Sequence, residues 1–225
     1  MNVNKEEIDG IKNKDVILFG ISGKIASGKD TIGNLVSMNL KKNGYRIKST
    51  GFGYIIRNEV QTIVDCFNSG KSIPYEIKNM KEVQILAEIL GNNNVFERSE
   101  ESRQALQYWG TEVRRKENSE YWIEQMKIFL VDNLRNGFSI NVTDARFPNE
   151  VDLVLNLGGH VSRLEISEEL QKERVLRRDN IEVSSLVLRH ASERALDDYP
   201  FTSVYDGSLD KDELSGKILM EIMSY

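Results

Sequence analysis

The sequence predicts an α/β fold of three layers around a parallel sheet. Short strand candidates alternate with segments of helical period, and the first of them, a continuous apolar run, leads through a glycine-rich turn directly into a helix. With 225 residues, 40% of them hydrophobic and 29% charged, the chain has the length and composition of one globular domain with a full core.

The elements follow in order. Val16, Ile17, Leu18, Phe19, Gly20 and Ile21 form an apolar run suited to a strand covered on both faces. A helix over 29–43 places Ile32, Leu35, Val36 and Leu40 on one side and stops at Gly44. A strand over 47–51 and a helix over 54–67 come next. A loop around Pro74, a helix over 76–90 and the closing Gly91 suggest a helical insertion over about 54–98. Ser99 can cap a helix running to 116, and another helix spans 120–135. Then come a strand over 138–143, a helix over 148–157 with Pro148 in its first turn, and a strand over 160–166. A charged helix over 168–178, a helix over 184–196, a strand over 201–205 and a helix over 210–223 complete the chain.

Charge and residue counts exclude several classes. A net charge of −5 argues against a protein that coats nucleic acid, so no stable nucleic-acid partner is expected. One cysteine, Cys66, rules out an internal disulfide, and two histidines make a multi-histidine metal site improbable. The opening MNVNKEEIDG lacks the apolar stretch of a secretory signal, and no apolar run nears 18 residues. A cytoplasmic protein without membrane segments is the expectation.

The segment from Gly23 to Thr31, GKIASGKDT, carries the strongest chemistry. It has the spacing of a phosphate-binding loop and sits where one must sit, between a strand and a helix. Gly23 and Gly28 let the chain curl, and the amides around Ala26 and Ser27 can then point at phosphate oxygens. Lys29 can set its charge against the outer phosphates of a nucleoside triphosphate. The hydroxyl residue expected after the lysine is replaced by Asp30, with Thr31 next. Asp30 can hold Mg²⁺ directly or through water with Thr31 on the α-phosphate; alternatively Thr31 centres the site and Asp30 stands behind it. A turn merely joining strand to helix would need neither the lysine nor the full spacing.

Further groups follow. Asp144 and Arg146 come just after a buried strand, at the sheet edge where ligands of open α/β sheets bind. Asp144 can receive a Mg²⁺-bound water or a substrate hydroxyl, and Arg146 can pair with phosphate; the bland reading is a cap and a surface arginine. Arg103, Gln107, Thr111 and Arg114 share one face of an α-helix, beside Leu106, Trp109 and Val113. This face reads an acidic substrate or is simply solvated, and Trp109 alone is more in keeping with a core. Gly110 within this helix hints at a close approach. The region 168–195 is a candidate lid, with Arg174, Arg177 and Arg178 able to neutralise a transferred phosphoryl group, or else a solvated charged face. Arg57 follows the second strand and can meet an acceptor; Asp206 and Gly207 can border a donor base or form a plain turn. His190 and Ser192 do not establish a hydrolase triad.

Together these segments resemble the deoxynucleoside monophosphate kinases of tailed bacteriophages. The resemblance lies in GKIASGKDT, in RQALQYWGTEVRR at 103–115, and in Tyr121 and Trp122. It continues in VTDARFPNE at 142–150, LGGHVSRLEI at 157–166, HASERALDDYPF at 190–201 and DGSLDKDEL at 206–214. It implies a nucleoside-monophosphate-kinase-like core with a five-stranded parallel sheet and a mobile lid, ATP and Mg²⁺ as cofactors, and a homodimer in the host cytoplasm. The reaction implied is transfer of the γ-phosphoryl of ATP to a deoxynucleoside monophosphate. By position, Lys29 would hold the donor phosphates, Arg103, Gln107 and Arg114 the monophosphate, and Asp144 and Arg146 the centre, with the lid arginines among Arg174, Arg177 and Arg178. The rivals are a phosphate-loop kinase acting on a small metabolite or a modified DNA base, and a nucleotide-binding regulatory protein without transfer activity.

Overall fold

In a computed structural model, which describes residues 16–97, 99–179 and 194–224, the chain forms two units. One carries the sheet and comprises the chain through Gly51 and from Lys127 onward; the other is helical and spans Phe52–Met126. The helical segment is thus longer than the 54–98 suggested by sequence.

The sheet unit contains β1 (Leu18–Gly23), α1 (Lys29–Lys42) and β2 (Ile47–Thr50), then β3 (Ser139–Val142) and α6 (Pro148–Asn156). It closes with β4 (His160–Glu165), α7 (Glu168–Asp179), β5 (Ser203–Asp206) and α8 (Lys211–Met223). Five strands lie in the order β2-β3-β1-β4-β5, and every pairing is parallel. Gly20 pairs with Val142 on one side and Val161 on the other, so the strand ends gather along one edge.

Alternation along β1 decides which helices cover which face. Phe19 and Ile21 point to Ile32, Val36 and Leu40 of α1 and to Leu214, Ile218 and Ile222 of α8. Leu18 points the other way, towards the turn before β4, where a Cβ on Gly159 would fall 2.7 Å from Leu18 and 2.8 Å from Val154 of α6. Helices therefore cover both faces, the arrangement that buried parallel strands require.

The helical unit holds α2 (Phe52–Ser69), α3 (Met80–Leu90), α4 (Glu100–Gln107) and the start of α5 (Tyr121–Arg135). Asn79 caps α3 by accepting from the Lys81 N–H, and Ser99 caps α4 by accepting from Ser102. The helix begun by α4 widens into π-helix over Tyr108–Arg115, with the Lys116 N–H reaching back five residues to the Thr111 carbonyl. Val60, Ile63, Val83, Leu86, Leu90, Trp109 and Trp122 make its interior. The expected helix over 184–196 lies mostly outside the described residues.

Candidate phosphate site

β1 delivers the chain to the sheet edge, and the loop after it is bent by two left-handed residues, Ala26 at φ 61° and Gly28 at φ 93°. Glycine takes that conformation freely, whereas alanine is held there only by its surroundings. The Ser27 N–H donates to the Lys24 carbonyl at 3.1 Å and closes the turn. Gly23 admits it: a Cβ there would sit 2.3 Å from the Ser27 hydroxyl oxygen. That hydroxyl is buried without a hydrogen-bond partner, an arrangement that costs about 1–3 kcal/mol and suits a group awaiting a ligand oxygen. α1 then starts at Lys29 with no side chain capping it, so its positive end stays available to an anion. Lys29 is half-buried, with Nζ 3.4 Å from the Lys24 carbonyl; Asp30 and Thr31 are exposed in the first turn.

Asp144 follows the neighbouring strand β3. The Ser22 hydroxyl donates to the Ala145 carbonyl at 3.2 Å and ties its turn to the base of the loop. The Asp144 carboxylate lies against the Gly51 backbone, where a Cβ would meet its oxygen at 2.4 Å. Glu150, 2% exposed, accepts from the Arg146 and Phe147 N–H groups at 2.7 and 3.3 Å and fixes the turn. Arg146 itself is exposed.

The charged helix α7 comes to the loop from the far side. Arg174 donates to the carbonyls of Ala26, Ser27 and Gly207 at 3.3, 3.4 and 3.1 Å, and Gln171 donates to that of Ile25 at 3.0 Å. Arg177 pairs with Glu173 one turn back, and Arg178 is exposed. Lys24 pairs with Asp197 at 2.8 Å, and buried Arg163 reaches Ser22 at 3.2 Å. Beyond β4 and β5 lies an open cavity of about 530 Å³, lined by Ile166, Leu170, Val204, Tyr205, Asp206 and Ser208. Hydrogen bonds from Ser208 hold the Asp206 carboxyl below its ordinary range.

The sheet unit thus gathers Gly23 to Thr31, Asp144, Arg146, Arg174, Asp206 and Gly207 along one edge. Arg57, Arg103, Gln107, Trp109, Thr111 and Arg114 belong to the helical unit. Arg57 donates to the Gly53 carbonyl of its own helix, and Arg103 pairs with Glu100 while 77% exposed. Gln107 and Thr111 are exposed, but Trp109 and Arg114 are buried and both donate to Glu59. The four-residue face read from 103 to 114 is therefore broken at its end: π-helical winding turns Arg114 inward with Trp109, five residues before it. His190 and Ser192 lie outside the described residues.

Glu59, Gln171, Arg163 and Asp197 were not singled out from sequence. Only Arg163 carried a usable signal, a lone cation within the buried strand LGGHVSRLEI.

No protein-family model and no curated protein matches the chain. Solved structures do. TT1252 from Thermus thermophilus is 19% identical over 94% of this chain and 98% of that one, with a TM-score of 0.52. A gluconokinase from Sinorhizobium meliloti 1021 is 13% identical over 94% of each chain (TM-score 0.48). A sugar kinase from Janibacter sp. HTCC2649 is 15% identical over 91% and 93% (TM-score 0.47). These matches correct the family read from the motifs: two of the three structures bear the names of a gluconokinase and a sugar kinase, and none of the three that of a phage deoxynucleoside monophosphate kinase. The deoxynucleoside monophosphate acceptor, the phage origin and the nucleoside-monophosphate-kinase label on the fold fall with it, because shared loops bind phosphate without specifying the acceptor. What stands is a P-loop-like α/β/α fold with a five-stranded parallel sheet, and no described helix is long and apolar enough to cross a membrane.

Proposed function

We propose that the chain is an ATP-dependent phosphotransferase acting on a hydroxyl group of a small metabolite. The observation that carries this reading is the pairing of a phosphate loop after β1 with a carboxylate, Asp144, after the adjacent strand β3. An alcohol acceptor must lose a proton as it attacks, and a carboxylate beside the donor phosphates suits that task. Lys29, the loop amides and the start of α1 would hold the donor phosphates. The cavity beside Tyr205 and Asp206 has the size and the mixed lining that suit the donor base. Asp30 and Thr31 offer hard oxygen donors for Mg²⁺, which would neutralise phosphate charge when bound. Arg146, at the turn after β3, would pair its guanidinium with the transferred group. The sugar-kinase names among similar folds make sugars, sugar acids and polyols the first acceptors to try.

The test is an ATP·Mg²⁺ assay against a panel of these acceptors and nucleosides, with phosphorylated product identified by mass. One acceptor should give product at a rate that Lys29→Ala and Asp144→Asn each lower by about two orders of magnitude or more. Nucleotide binding without transfer to any acceptor would instead support a regulatory protein.

A further inference from the structure

We infer that Gln171 and Arg174 of α7 are positioning residues that hold the phosphate loop in its anion-binding shape from behind, an inference resting on the phosphotransferase reading. In a planar trans peptide the N–H and C=O point in opposite directions. A loop that turns successive N–H groups inward, towards phosphate, must therefore turn the matching carbonyls outward. Here the Ile25 and Ser27 carbonyls are the counterparts of the Ala26 and Gly28 N–H groups, and that of Ala26 is the counterpart of the Ser27 N–H that closes the turn; each receives a donor from α7, Gln171 for Ile25 and Arg174 for the other two. Arg174 also binds the Gly207 carbonyl, which anchors the clamp to the end of β5.

Two features of the loop show what the clamp opposes. Ala26 keeps a left-handed backbone that a side-chain-bearing residue leaves when it is free to. Ser27 is 1% exposed, so its carbonyl has little access to water as a substitute donor. Gln171, 3% exposed and neutral, has its amide committed to the Ile25 carbonyl. Spaced by three on one helix, the two side chains act as a single clasp. Arg174 here serves backbone oxygens, where the sequence placed it on the transferred phosphoryl.

Calorimetric binding of inorganic tripolyphosphate isolates the loop from base, acceptor and turnover. Gln171→Met and Arg174→Lys should each bind it about tenfold more weakly than the natural chain, and Arg174→Ala more weakly still. Each should also melt earlier without ligand. In turnover the loss should appear mainly in KM for ATP and less in kcat. Arg174→Lys with natural affinity would overturn the inference, because a direct phosphate contact tolerates lysine and a fork across three carbonyls does not. Natural affinity in Gln171→Met would overturn it too, since that change removes no charge. Failure of the unaltered chain to bind tripolyphosphate would overturn both the clasp and the phosphotransferase reading. Binding without transfer to any acceptor would remove only the latter's chemistry.

Discussion

Arg114 places Nε 2.6 Å from a carboxylate oxygen of Glu59, with both side chains 5% exposed or less. The other Glu59 oxygen accepts from the Tyr121 hydroxyl at 2.6 Å, and Trp109 donates to the first at 2.9 Å. The guanidinium also lies 4.5 Å from the Tyr121 ring centre. Burial, then the bond to Glu59, pushes the Tyr121 phenol well above its ordinary range, so it remains a donor.

Removing one member of this pair strands the other. Glu59→Gln and Arg114→Met should each destabilise the fold by about 3–5 kcal/mol, measured by urea unfolding. The double variant should cost less than the sum of the two, since neither charge is then left alone.

Gly110 supports an expectation opposite to the one its position in the sequence invites. An added Cβ would meet Ile56 at 3.4 and 3.6 Å, ordinary contact distances, and its backbone φ is not left-handed. Gly110→Ala should therefore be tolerated and should stabilise by up to about 1 kcal/mol through helix propensity, visible as a higher urea midpoint.

The sheet was legible because β1 belongs to a continuous apolar run and β3 and β4 place Ile140, Val142, Val161 and Leu164 among polar residues between glycines and polar turns, and each falls within a residue or two of its expected bounds. The place of the glycine-rich loop between β1 and α1 was legible because its spacing is local. The Glu59 knot was not: its other members lie 50 to 62 residues from Glu59, and no periodicity links them to it. The π-helical stretch was not legible either, since a period of 3.6 assigns Arg114 to the exposed face of Arg103. α7 looked like a solvated or lid helix because only Val175 is apolar and buried in its centre. Its docking rests on two polar side chains whose partners are backbone carbonyls, which sequence does not display.

His160, buried at the start of β4, has Nε2 3.1 Å from the Ser162 hydroxyl and 3.6 Å from Glu221. Burial lowers its pKa from the ordinary 6.5, and Glu221 only partly opposes this. The unfolded chain therefore takes up the proton at a higher pH than the folded one. Stability should be level above that value and fall as the pH drops below it. Glu221 adds to the loss lower down: burial raises its carboxyl, but bonds from Ser203 and Tyr205 outweigh that and hold it below 4.5. Melting temperatures from about pH 8 to about pH 5 should fall less steeply in His160→Gln than in the natural chain.

Gly51 separates position from stability at Asp144. A Cβ there would fall 2.4 to 2.7 Å from the carboxylate atoms, which are the far end of a side chain that can swing aside. Gly51→Ala should thus leave the melting temperature within a few degrees of the natural value while moving the carboxylate by about an ångström. A displacement of that size costs about two orders of magnitude in rate when the displaced group is part of the chemistry. Gly207→Ala is the contrasting case: its Cβ would meet the Ser27 carbonyl oxygen at 2.9 Å and the Glu165 carbonyl oxygen at 3.3 Å, neither of which can swing away. It should lower melting temperature and rate together. Initial rates with the acceptor found in the panel, read beside thermal melts, separate the two. A Gly51→Ala protein that transfers phosphate at the natural rate would show that the position of the Asp144 carboxylate does not govern the reaction.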